Sequence, residues 1–204
     1  GFLQNAIAEA KIVETTVVII TGDHGFCDVH KAVCPNVLLA QAGLIELDEK
    51  GNMRGWKALC HSSGAQAAVY AKDEASGQKA VEILEKHQKD DNGKQLYRVL
   101  KRKDLDELGA YPDAVAAISA AEGFTVEAGI SGKFIKETSL KGNHGYVPDN
   151  EKLCTGLIMF GAGVRQGASI ERANLTDIAP TISYLLALGM KNLDGKALTG
   201  MLKK

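Results

Sequence analysis

Val17-Val18-Ile19-Ile20-Thr21-Gly22-Asp23-His24-Gly25-Phe26 is an apolar run that stops abruptly at an acid, an imidazole and a glycine. Five apolar or β-branched residues in a row predict a strand buried on both faces at the centre of a parallel sheet, because nothing alternates toward water. Asp23 and His24 fall just past its carboxyl end, where open α/β sheets collect their ligands. Neighbouring side chains of an extended strand point to opposite faces, so the pair can share a target only if the backbone turns, as Gly22 and Gly25 permit. A carboxylate and an imidazole converging on one point suit a divalent metal such as zinc.

Upstream, Phe2, Ala6, Ile7 and Ala10 mark one face of a short helix that feeds this strand. A central strand needs neighbours on both sides, so a partner segment outside these residues is expected. Downstream, Pro35 fits the first turn of a helix running to about Ala42, closed by Gly43. Residues 48–52 read as a turn after the extended stretch 44–47, and residues 66–71 as a strand. Ser76 is the expected cap of a helix over 77–88 with Ala80, Val81, Ile83 and Leu84 on its apolar side. A short strand at 95–100, a helical turn at 103–108 and a strand at 114–119 follow. The glycine-bearing stretch 122–137 reads as hairpins or loops. Residues 155–161 repeat the buried-strand pattern. Residues 175–188 predict the clearest helix, capped by Thr176, with Pro180 tolerated in its first turn and Gly189 at its end. Two core pieces, 1–44 and 138–204, therefore flank an inserted α+β lobe over 45–137.

Composition narrows the classes. The 204 residues are 45% apolar, enough for a real core, and 24 basic against 25 acidic residues leave a net charge of −1. No long-range field recruits nucleic acid or an anionic membrane, and the longest apolar runs fall far short of the roughly 20 residues that span a bilayer. The opening Gly1-Phe2-Leu3-Gln4-Asn5 lacks the pattern of a signal peptide. Cys27, Cys34, Cys60 and Cys154 have no CxxC spacing and are expected to be idle thiols, with one disulfide as the alternative.

His144, in Gly142-Asn143-His144-Gly145-Tyr146, lies in a stretch with neither strand nor helix periodicity, so its ring is presented from a loop as a metal ligand or a surface histidine. Thr21-Gly22-Asp23-His24-Gly25-Phe26 with Asp28-Val29, then Gly142-Asn143-His144-Gly145-Tyr146, then Leu175-Thr176-Asp177-Ile178-Ala179-Pro180-Thr181-Ile182 with Leu185-Leu186, together resemble the C-terminal half of a type I phosphodiesterase/nucleotide pyrophosphatase. That family belongs to the alkaline phosphatase superfamily. The resemblance implies an α/β fold with a mostly parallel sheet flanked by helices and a site for two Zn2+. Asp23 and His24 would bind the metal that also holds a nucleophilic Thr or Ser, and His144 the other. The family's nucleophile and its remaining ligands come from a half that would precede Phe2, so this chain alone is expected to bind zinc weakly and to be inactive.

The resemblance implies a small phosphodiester or nucleotide substrate, and relatives are often exported. Other reactions of the superfamily (phosphonate hydrolase, sulfatase, phosphosugar mutase) and a non-catalytic binding module remain alternatives, since a fold alone does not choose among them. Asp28 is read as a loop-steadying or imidazole-bonding carboxylate, or else as a helix-start acid. His61 either lines the pocket or is a hydrogen-bonded loop histidine, and His30 is expected in solvent. His87 is expected to meet the carbonyl end of its helix, and Asp177 to cap or charge the first turn of the last one. Trp56 and Tyr146 could stack on a base or pack in the core.

Overall fold

The computed structural model describes residues 1–203. In chain order the first elements are α1 (Phe2–Glu9), β1 (Val17–Thr21), β2 (Cys27–Val33), α2 (Pro35–Gln41), β3 (Ile45–Leu47), β4 (Met53–Trp56), β5 (Ala58–Ser63), β6 (Gln66–Ala71) and α3 (Glu74–Lys86). They continue with β7 (Tyr97–Lys101), α4 (Arg102–Glu107), β8 (Ala116–Ala120), β9 (Gly123–Val126), β10 (Ile135–Glu137), β11 (Gly142–Asn143), β12 (Leu157–Gly161) and α5 (Ile178–Leu185). No described helix is long and apolar enough to cross a membrane. The architecture is α/β, in two compact units: Gly1–Asp23 with Thr155–Lys204, and His24–Cys154.

In the first unit β1 pairs antiparallel with β12, from Val17 opposite Gly161 to Thr21 opposite Leu157. No further strand joins this pair among the described residues. Its directly opposed Ile20 and Ile158 are 52% and 60% exposed, so the burial on both faces expected of β1 is not found. A contiguous apolar run tells that a strand avoids water; it does not tell how many partners this chain supplies. The final helix is shorter than 175–188. A 3-10 turn, Leu175–Asp177, precedes α5, and Asn174 with Asp177, rather than Thr176, organises the start: the Asn174 N–H donates to Asp177 Oδ2 at 2.9 Å. Helix α5 ends early because Ala187 turns left-handed at φ +49°. The Leu188 N–H then reaches back to the Ser183 carbonyl at 3.0 Å and the Ala187 N–H to that of Tyr184 at 3.3 Å, the bonding of a Schellman stop.

The second unit is built on a four-stranded antiparallel sheet in the order β5-β6-β8-β7. Ala67, Val69, Ala116 and Ile118 are buried on it, together with Leu39 of α2 and Ala80 and Leu84 of α3. Tyr97 is wholly buried and donates its hydroxyl proton to the Leu84 carbonyl at 2.8 Å. Helix α3 starts earlier than read from the sequence. Asp73 is its cap, accepting from the Ser76 N–H at 2.8 Å and from the Ser76 hydroxyl at 3.0 Å, so Ser76 is inside the helix and serves the cap. Asn36 of α2 seals the outer edge of β5, donating to the Cys60 carbonyl and accepting from the Cys60 N–H, each at 2.8 Å.

Beside this sheet, β2 is flanked by β10 and β11, both antiparallel to it, and by β9, which is parallel. Strand β2 is absent from the elements expected above, although Cys27 and Val29 alternate with Asp28 and His30 at strand period. Of the eight pairings between the named strands, β2 with β9 alone is parallel. The chain is thus α/β, as expected, while the mostly parallel pairing expected of the sheet is not realised among the described strands of this chain. Short connections such as the Gly64-Ala65 turn between β5 and β6 force antiparallel neighbours. The unit boundaries also differ from the pieces 1–44, 45–137 and 138–204. Residues 24–44 and 138–154 fall in the same unit as 45–137, because β2 takes β9 and β10 from within that stretch and β11 from the residues that follow it. All four cysteines are free, with Cys27, Cys34 and Cys60 buried; burial pushes the Cys60 thiol up to about 12.

Candidate functional site

The pairing of β11 with β2 does the first positioning. Asn143 stands opposite Cys27 and Gly142 opposite Asp28, so one residue further His144 comes abreast of Phe26. His24 and His144, some 120 residues apart in sequence, meet with ring centroids 3.9 Å apart and planes inclined by 10°. The Phe26 ring meets both edge-on, at 5.6 Å from His24 and 5.4 Å from His144, while remaining 65% exposed itself. Three aromatic rings thus form one cluster at the head of β2.

Gly25 holds the His24 end of this cluster in place. Its N–H donates to the Leu153 carbonyl at 2.8 Å, and a Cβ there would lie 2.9 Å from the Lys152 carbonyl oxygen. A side chain at 25 would push the chain off the 151–153 turn. His24 Nδ1 lies 3.1 Å from the Gly25 carbonyl, which favours the tautomer with the proton on Nδ1 and the lone pair on Nε2. The Lys152 ammonium pairs with Glu122. That pairing holds Lys152 above its ordinary value, with Cys27 and Asp28 adding to it.

The His144 end is fixed by the turn between β5 and β6. The Ala65 N–H donates to the His144 carbonyl at 2.8 Å, and the His144 N–H donates to Asn143 Oδ1 at 2.9 Å. Gly64 at this turn has φ +68°, a value that favours glycine.

The remaining sequence candidates fall in different surroundings. Asp23 is exposed and ends the first of the two segments of the first unit, immediately before His24. Asp28 is exposed within β2, not at a helix start, because the chain stays extended through Val33. His61 is exposed within β5, opposite Ala68, and not in a loop. Tyr146 is 6% exposed and gives its hydroxyl proton to the Phe124 carbonyl at 2.7 Å. Burial pushes its phenol up to about 12, so it is a neutral donor in the core. His30 is exposed on β2, and His87 at the end of α3 meets the Ile83 carbonyl through Nδ1 at 2.8 Å. Asp177 accepts from the Lys196 and Asn174 N–H groups, both at 2.9 Å, which holds its carboxyl below the usual range.

Sequence reasoning passed over Phe26, Gly64, Thr125 and Asn143 as contributors. A Ser-Ser-Gly turn beside a strand was a signal for Gly64; Thr125 in a short apolar strand offered none.

The donor chemistry of Asp23, His24 and His144 suits zinc, but the number of donors falls short. Among the described residues no group of three or more His, Cys, Asp or Glu side chains is disposed to hold one ion, and zinc sites use three or four protein ligands.

A model of the type I phosphodiesterase / nucleotide pyrophosphatase family matches residues 1–147. No curated protein matches in a sequence search. The structure of human ectonucleotide pyrophosphatase / phosphodiesterase 5 superposes with a TM-score of 0.75 at 22% identity, covering 100% of this chain and 50% of that one. The murine counterpart gives 0.72 at 20% identity with the same coverages. An inactive variant of the murine protein, in complex with AMP, gives 0.71 at 20%, again covering 100% and 50%. At these identities the likeness is one of fold. The chain spans about half the length of the solved structures it matches.

Proposed function

Because the chain belongs to the type I phosphodiesterase / nucleotide pyrophosphatase family, we propose that it forms one half of a zinc-dependent domain that hydrolyses phosphodiester or pyrophosphate bonds in small substrates. In this reading Asp23 and His24 hold one Zn2+ and His144 holds a second. The nucleophilic Thr or Ser and the remaining ligands come from outside residues 1–204. The observation that supports it most is the His24–His144 stack. An imidazole lone pair lies in the plane of its ring, so two nearly parallel rings 3.9 Å apart suit two cations better than one. That separation is close to the spacing of about 3.5–4 Å at which paired metals act on one phosphoryl group.

When bound, such metals supply Lewis acidity and an activated oxygen nucleophile. The chain's own contribution is positional. The Gly25 carbonyl favours the His24 tautomer with its lone pair on Nε2, and Phe26 walls one side of both imidazoles. The AMP carried by the murine neighbour favours a nucleotide over a simple alkyl phosphate ester.

Two measurements test the reading. Zinc titration of the 204-residue chain is expected to reveal no site tighter than about micromolar, because two donors and one donor are fewer than a stable zinc site uses. The same chain joined to the residues encoded ahead of it is expected to hydrolyse bis(p-nitrophenyl) phosphate, and to lose that activity in Asp23→Asn, His24→Gln and His144→Gln. Submicromolar zinc binding by the short chain, or an extended protein indifferent to all three substitutions, refutes the proposal.

A further inference from the structure

Between β9, β11 and the turn joining β5 to β6 runs a closed circuit of hydrogen bonds. The Thr125 hydroxyl donates to the Gly64 carbonyl at 3.2 Å, and that carbonyl also accepts from the Val126 N–H at 3.3 Å. The same hydroxyl oxygen accepts from Asn143 Nδ2 at 2.7 Å. Asn143 Oδ1 accepts from the His144 N–H, and the His144 carbonyl accepts from Ala65, as described above. Both sides of the His144 backbone are therefore tied to one hairpin turn, directly through Ala65 and indirectly through Asn143 and Thr125.

We infer that Thr125 and Asn143 are positioning residues, which set the His144 ring against His24 by anchoring the loop 142–146 to the turn of the β5–β6 hairpin. The circuit has a direction. Thr125 has one hydroxyl proton and gives it to Gly64, so its lone pair must receive the Asn143 amide. With its NH2 committed there, Asn143 presents its oxygen to the His144 N–H. The reversed amide would set two donors against each other. Thr125 is fully buried, so no bulk water competes for either of its bonds. The inserted lobe thus has a part in the site that a dispensable insertion would not have: it is the floor on which a candidate ligand rests.

The catalytic meaning of this anchoring rests on the proposed role of His144, but the anchoring itself can be read without metal. In the 204-residue chain the stacked rings of His24 and His144 shield one another, so their imidazole proton signals are expected upfield of those of exposed His30 and His61. Asn143→Ala is expected to abolish that displacement for His144 while the His87 signal stays in place. Thr125→Val should do the same, and Thr125→Ser, which keeps the hydroxyl, should restore the native position. Asn143→Asp should also lose the displacement, because a carboxylate has no proton to give Thr125. Should Asn143→Ala and Thr125→Val fold with the His144 signals unmoved, the inference is overturned; it is likewise overturned if Thr125→Ser behaves as Thr125→Val does. Where Asn143→Ala does not fold, the Val and Ser pair at 125 decides. Zinc added to the extended protein separates the two proposals: ring signals that ignore zinc but respond to Asn143→Ala would remove the ligand role and leave the anchoring intact.

Discussion

Replacing Gly64 by alanine tests how closely the hairpin turn and the His144 loop are fitted. The new Cβ would lie 2.5 Å from the His144 carbonyl oxygen and 3.4 Å from its carbon, at a backbone φ of +68°. The carbonyl cannot simply retreat, since it accepts the Ala65 N–H at 2.8 Å. A non-glycine residue held left-handed costs about 1–2 kcal/mol. Displacing packed backbone to relieve an overlap costs about 1–3 kcal/mol more. The expected loss is therefore roughly 2–5 kcal/mol, a large share of the 5–15 kcal/mol that holds a typical domain together. The chain has a single tryptophan, Trp56 on β4, in the same unit as Gly64, so its fluorescence follows urea unfolding of the unit that carries the substitution. At a slope of about 2 kcal/mol per molar urea, the midpoint should fall by roughly 1–2.5 M. Gly93→Ala is the matched control: φ there is +78°, and nothing lies within 4 Å of the Cβ position, so only the left-handed cost of about 1–2 kcal/mol should appear. Equal losses in the two variants, or a Gly64→Ala protein within about 0.5 kcal/mol of the parent, would refute the close-approach argument.

Further expectations concern the frame around the site. Ala187→Gly relieves a left-handed alanine at the stop of α5 and should stabilise the first unit by about 1 kcal/mol, read as a rise in melting temperature. Asn36→Ala strips both partners from the buried Cys60 peptide groups and should cost about 2–4 kcal/mol, with faster hydrogen exchange at the Cys60 amide as the local sign; a cost under about 1 kcal/mol contradicts the sealing role. Two backbone N–H groups hold the Asp177 carboxyl below its unfolded value. Its contribution is therefore complete above the ordinary carboxylate range and is lost as pH falls through the lower folded value. Melting of the parent should drop more steeply than that of Asp177→Asn between about pH 5 and about pH 3, and parallel curves would count against this.

How much of this was legible in the sequence depends on whether the signal was local. Strands β1, β6 and β12 announce themselves as apolar runs, and α3 as a stripe of Ala80 and Leu84. The cap of α3 was misplaced because Asp73 and Ser76 can both cap, and only the fold decides that one serves the other. Pairing direction was not legible: an apolar strand reads the same whichever way its neighbour runs, and β1 proves antiparallel to β12. In the site, the two histidines were marked by glycines on either side. The parts that bring them together were not, since Thr125 and Asn143 act through partners on other strands and look, residue by residue, like ordinary polar positions.

The two-stranded ribbon of β1 and β12 has a practical consequence. Along its flanks no described strand takes up the peptide groups, and opposed Ile20 and Ile158 give the ribbon a greasy side. Five-residue edges with neither proline nor lysine lack the features by which natural proteins discourage lateral growth. In concentrated stocks of residues 1–204 alone, without the partner segment expected beside β1, the ribbons should line up against one another, and Ile20→Lys or Ile158→Lys should keep the solution clear.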